Sequence, residues 1–77
     1  MEIKEFIENF ADQLDDTPAS SLTPDTNFRE LEEWSSLSAL AVLGMIDDEY
    51  DVQLKGNEMR GANTIQELFD IVVSKLG

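Results

Sequence analysis

No cysteine and no histidine occur among the 77 residues. The first absence removes disulfides and thiolate metal ligands. The second removes the commonest general base and the usual ligands for zinc or copper. Basic residues are scarce: five against 17 acids, a formal charge of −12. Nucleic-acid phosphates would be repelled by such a surface, so no nucleic-acid partner is expected. Basic partners are favoured, drawn in by long-range attraction that salt weakens. The opening stretch Met1-Glu2-Ile3-Lys4-Glu5 has neither a basic n-region nor a long apolar run. No signal peptide or membrane span is therefore expected, and the expected compartment is the cytoplasm. An enzyme needs a nucleophile with its base, a metal, or paired carboxylates in a cleft. Carboxylates scattered without a base or an orienting group read as a solvated face, so no catalytic residue is expected.

What is present reads as helix. The length fits one domain, residues 1–77, expected as a monomer. Ile3, Phe6, Ile7, Phe10 and Leu14 fall at i, i+3, i+4, i+7 and i+11, which predicts an amphipathic helix over about residues 2–15. Thr17-Pro18 is expected to end it, because proline removes a donor and disfavours helix before it. From Thr17 to Ser35 the period dissolves into turn residues, a long loop with Leu22, Phe28 and Leu31 as its anchors. Phe28 to Leu31 can form one helical turn. Ala39, Val42, Leu43, Ile46 and Tyr50 then repeat the helical stripe on a helix running to about Asp51. Leu37, Leu40, Ala41, Gly44 and Met45 make a second apolar face on that helix. A small domain has few elements with which to cover two faces. Val52-Gln53-Leu54 reads as extended, with Leu54 buried. Asn57 is a candidate cap for a short helix that Gly61 ends. Thr64-Ile65-Gln66-Glu67 is a capping box. Ile65, Leu68, Phe69, Val72 and Leu76 complete a last helix, stopped by Gly77. The expected fold is all-α: a small bundle of three main helices and a short fourth, with a long first loop.

Two motifs carry possible chemistry. Asp47, Glu49, Asp51, Gln53, Lys55 and Glu58 match the ligand positions of a twelve-residue calcium loop, but Val52 stands where the sharp turn takes glycine. No metal site is therefore expected there. Ser35, Ser36 and Ser38 stand at the start of the second long helix, where free backbone N–H groups and the helix dipole favour an attached phosphate. One cap needs one serine. Ser35 serves as the cap, which leaves Ser36 on the first turn as a modification site.

These residues resemble the acyl carrier protein family. The likeness covers the order of elements across essentially the whole chain, the Ser35-Ser36-Leu37 tripeptide, and the acidic run Asp47-Asp48-Glu49 before Tyr50. It implies a 4′-phosphopantetheine arm on Ser36, installed by a phosphopantetheinyl transferase, whose terminal thiol tethers acyl intermediates as thioesters. It implies acyl-transferring and chain-elongating enzymes as partners, in fatty-acid or related lipid or polyketide biosynthesis. Trp34, Ser35, Leu37, Leu40, Ala41, Met45, Asp47 and Asp48 would form the docking surface. The sequence departs from the family at Ser35, where an acid is usual, and at Ser38 and Ala41, where acids are frequent. Glu30, Glu32 and Glu33 are the candidates to stand in for them. Other readings are a carrier of aminoacyl or peptidyl groups, or an unmodified helical interaction module.

The charge imbalance has a direct consequence for stability. Self-repulsion among 17 acids opposes the compact state. Magnesium in the millimolar range is expected to raise the melting temperature; a flat response in a thermal melt would show that the repulsion is negligible.

Overall fold

The computed structural model describes residues 2–76. Four α-helices follow in order: α1 (Ile3–Ala11), α2 (Ser36–Tyr50), α3 (Gly56–Gly61) and α4 (Ile65–Leu76). Short 3-10 turns at Ala19–Ser21 and Phe28–Glu30 lie in the connection between α1 and α2. The architecture is all-α, with α1, α2 and α4 in mutual contact.

The three helical stripes meet in one core. Phe6, Phe10, Phe28, Val42, Ile46, Ile65, Leu68 and Val72 are its largest fully buried side chains. Burying such a side chain contributes roughly 1.5–3 kcal/mol against chain entropy. All six aromatic rings of the chain join in one connected set. Phe6 meets Phe69 of α4 at 5.4 Å and Tyr50 of α2 at 5.8 Å. Phe10 meets Phe28 at 5.7 Å and lies parallel to Trp34, with ring centroids 5.8 Å apart. The Tyr50 hydroxyl accepts from Asn9 Nδ2 at 2.9 Å, and burial raises its pKa.

The long connection is ordered because it supplies partners that helix ends lack. The first N–H groups of α4 have no intrahelical acceptor. Those of Ile65 and Gln66 donate to the carbonyls of Thr26 (3.1 Å) and Pro24 (2.9 Å). At the far end of α3, the Met59 carbonyl accepts from Ala62 N–H, and the Ala62 carbonyl follows the helix. Arg29 donates to both of these carbonyls, Ala62 at 2.9 Å and Met59 at 3.1 Å. Leu22 and Phe28 anchor the loop from the buried side, while Leu31 is half-buried.

Several boundaries differ from the sequence reading. α1 stops at Ala11 rather than near residue 15, because Gln13 and Leu14 donate to Phe10 and Ala11 in tighter turns. Thr17-Pro18 follows the helix end and does not cause it. After α2, Val52 is buried at 4% exposure, whereas Leu54, expected to be buried, is only half-buried. Lys55, not Asn57, precedes α3; its N–H donates to the Glu58 carboxylate at 3.0 Å. Gly61 is the last residue of α3 and has no positive φ; Arg29 serves the helix end instead. The capping box is present: Glu67 N–H donates to Thr64 Oγ1, and Thr64 N–H to Glu67 Oε1. Leu76 is half-exposed, and the stop expected at Gly77 lies outside the described residues.

α2 ends at Asp51, which takes the left-handed conformation at φ 55°, ψ 41°. Aspartate and asparagine tolerate that region and a β-branched residue does not. Asp51→Val is expected to lower stability by about 1–3 kcal/mol, and Asp51→Asn to stay within about 0.5 kcal/mol of the parent, read by urea denaturation.

Candidate functional site

The start of α2 is built by two serines and shows a third. Ser35 is the cap: extended at φ −152°, its Oγ accepts from Ser38 N–H at 3.4 Å. The Ser38 hydroxyl donates to the Glu33 carbonyl at 3.0 Å, also inside the structure. Ser36 is the first helical residue and is exposed. No hydrogen bond among the described residues engages its hydroxyl. The N–H groups of Ser36 and Leu37 are first-turn donors pointing along the positive end of the helix dipole. This fits a covalently attached phosphate: a free hydroxyl, unhindered approach, and orphan donors beside it.

The residue pair before the cap fixes where α2 begins. Trp34 is half-buried, stacked on Phe10 and tilted against Phe28 at 4.8 Å. Its indole therefore packs over the core as the loop returns to the helix. Glu33 accepts from Asp15 N–H (2.7 Å), Asp16 N–H (3.0 Å) and the Thr17 hydroxyl (2.5 Å). The Thr17 bond and the two backbone donors hold its carboxyl below the usual range. That carboxylate is spent on internal donors, so it does not replace the acid missing at position 35. Glu30 and Glu32 remain exposed.

The second apolar face of α2 is divided. Leu37 is 79% exposed and Leu40 66%, beside an exposed Gly44 and a half-buried Ala41. Met45 is 5% exposed and belongs to the core, because its position turns it toward the side shared with Val42 and Ile46. It is withdrawn from the docking set. Leu40, Leu43, Gly44, Asp47, Gln53 and Leu54 line an open groove between α2 and the segment leading to α3. Asp47, Asp48 and Glu49 are exposed at the far end. The calcium-loop pattern does not survive: α2 stays helical through Tyr50, and Glu58 is engaged by Lys55 N–H and by Lys75 Nζ at 2.9 Å.

A family model described as a phosphopantetheine attachment site matches residues 4–72. The chain belongs to the acyl carrier protein family. Among relatives, it is 28% identical over 74 residues to polyketide-8 synthase acyl carrier protein 2 of Streptomyces avermitilis, an alignment covering 96% of this chain and 85% of that one. As a carrier protein it holds covalent 4′-phosphopantetheine and has no catalysis of its own. Its partners are a phosphopantetheinyl transferase and acyl-handling biosynthetic enzymes. No helix among the described residues is long and apolar enough to cross a membrane. Of the residues picked from sequence, Ser35, Ser36, Leu37 and Leu40 stand together at the start of α2, with Ala41 one turn on. The role of Glu33 as an internal acceptor was missed, because its partners lie 16–18 residues away.

The sign of the Glu33 shift gives a pH test. A carboxyl whose folded pKa lies below its ordinary 4.5 contributes stability above that pH and loses it as pH falls through the lowered value. Glu58 and Glu67 are shifted the same way, by Lys55 N–H and by Asn63 N–H foremost, so the parent alone cannot isolate Glu33. Thermal melts of the parent and Glu33→Gln are expected to converge as the pH drops below 4.5 and to separate above it. A constant gap across that range would show that the Glu33 charge contributes nothing.

Proposed function

We propose that Ser36 is the attachment point of the 4′-phosphopantetheine arm and that the chain presents growing acyl groups, as thioesters on that arm, to chain-elongating enzymes of a polyketide-type system. The observation that supports the attachment point is the allocation of hydroxyls. Ser35 and Ser38 are both used in the cap, while Ser36 is exposed and uncommitted. In the transfer, Ser36 Oγ forms a new bond to the phosphorus of coenzyme A that bears the pantetheine. The bond from that phosphorus to the departing nucleotide phosphate breaks, and the serine proton passes to a base of the transferase. The polyketide carrier among the relatives favours a specialised system over general fatty-acid synthesis.

The docking surface is the exposed side of α2 with its approach: Leu37 and Leu40 next to the serine, Ala41 and the groove beyond, and Asp47 and Asp48 at the distal end. Ser35 and Trp34 support this surface from the cap and the loop. Partners of matching chemistry carry an apolar patch where they meet the helix start and basic residues where they meet its end.

The test is mass spectrometry after incubation with coenzyme A and a broad-range phosphopantetheinyl transferase. One phosphopantetheinyl increment is expected, lost in Ser36→Ala and kept in Ser35→Ala. Leu40→Glu is expected to slow modification at any ionic strength, and Asp48→Lys only at low salt, with stability within about 0.5 kcal/mol for either exposed site. An unmodified parent chain would leave a helical interaction module as the better reading.

A further inference from the structure

The first turn of a helix holds its place only through its cap and neighbours, because half its backbone bonds are missing. Here the cap bond itself is long, 3.4 Å from Ser38 N to Ser35 Oγ. The firmer restraints come from Glu33. Its carbonyl receives the Ser38 hydroxyl at 3.0 Å. On the other side, its two carboxylate oxygens take both free amides of the turn after α1, those of Asp15 and Asp16, along with the Thr17 hydroxyl. One residue therefore ties the chain leaving α1 to the first turn of α2. The hollow between them is lined by Gln13, Asp15, Asp16, Ser35, Leu37 and Ser38, directly beside the exposed Ser36. Charge-assisted bonds of this type are roughly twice as strong as neutral ones and more directional.

We propose that Glu33, held in place by Thr17, is a positioning residue for the modification of Ser36. The proposal rests on the reading of Ser36 as the attachment point. Glu33 touches neither the serine oxygen nor the reacting phosphorus; it acts by fixing the entry of α2, so that the hydroxyl lies in line for attack when the transferase docks. A misplacement of about 1 Å can cost on the order of a hundredfold in such a reaction. Trp34, stacked on Phe10 next in sequence, reports on the same junction, and it is the single tryptophan of the chain.

The experiment uses the full chain with coenzyme A and a broad-range phosphopantetheinyl transferase, comparing the parent with Thr17→Val, Thr17→Ser, Glu33→Ala and Glu33→Gln. The expected result is a fall in kcat of about tenfold or more for Thr17→Val and Glu33→Ala, with KM within about twofold, since the docking face of α2 is untouched. Thr17→Ser is expected to restore the parent rate. Trp34 fluorescence and the amide exchange of Asp15 and Asp16 should change in the slow variants and not in Thr17→Ser. Should Glu33→Ala fail to fold, the near-isosteric Glu33→Gln and Thr17→Val carry the comparison. Clamp variants with faster Asp15 and Asp16 exchange but an unchanged kcat would overturn the proposal alone. A parent chain modified at a residue other than Ser36, or not at all, would overturn the attachment reading and this proposal with it.

Discussion

Six rings in contact determine where the second helix begins. Phe69 on α4 meets Phe6 on α1, Phe6 leads to Phe10 at 6.5 Å, and Phe10 carries Phe28 and Trp34 from the loop. Each pair contributes about 0.5–1.5 kcal/mol beyond area burial. In a domain whose whole margin is about 3–5 kcal/mol, that is a large share. The set is also directional. It runs from the last helix, through the first, to the residue two places before Ser36. A change at Phe6 or Phe10 thus reaches the site through packing, with no contact to the serine.

The acids do more than charge the surface. Glu33, Glu58 and Glu67 each accept backbone N–H groups, and each carboxyl is held below its ordinary range by those bonds. Glu58 and Glu67 do so at helix starts, where the dipole adds to the bond. Glu33 does so at the turn after α1, taking the amides of Asp15 and Asp16 beyond the tighter turns that end this helix. A chain with few bases caps its ends from its surplus of carboxylates. The one arginine in the long loop, Arg29, serves the opposite kind of end, the carbonyls of Met59 and Ala62 where α3 finishes.

The fold was largely legible because its signals are local. Helical stripes, the Thr64 to Glu67 capping box and the Ser35 cap all act within a turn or two of chain, and each is where periodicity and side-chain chemistry put it. The misses share one cause. Met45 stands on the second apolar face by spacing alone, yet α2 is covered over a wider arc than one stripe, and the side chain is buried. Read from sequence, Arg29 has no role of its own and Glu33 is only a stand-in for the missing acid. Their partners lie 16–33 residues away, and no local pattern announces such a bond. The exposure of Leu37 and Leu40 was foreseeable only as one of two options, since spacing does not say which face a bundle leaves open.

The division of α2 into an apolar start and an acidic end sets how a partner would engage it. From Ser36 to Asp47 is eleven positions, about 16 Å of helix. Attraction from Asp47, Asp48 and Glu49 acts at a distance, so on the proposed reading it governs how fast a basic partner arrives and is screened by salt. Contact with Leu37 and Leu40 acts only once water is expelled, so it governs how long the partner stays. A carrier with acids beside the serine combines both effects at one place. Here they are separated along the helix, and the first turn of α2, which bears Ser36, carries no acid of its own. A transferase or elongating enzyme that relies on a basic residue at the serine would find nothing to pair with on α2. On the proposed reading, the selectivity of this carrier among partners comes from the apolar fit at the exposed Leu37 and Leu40.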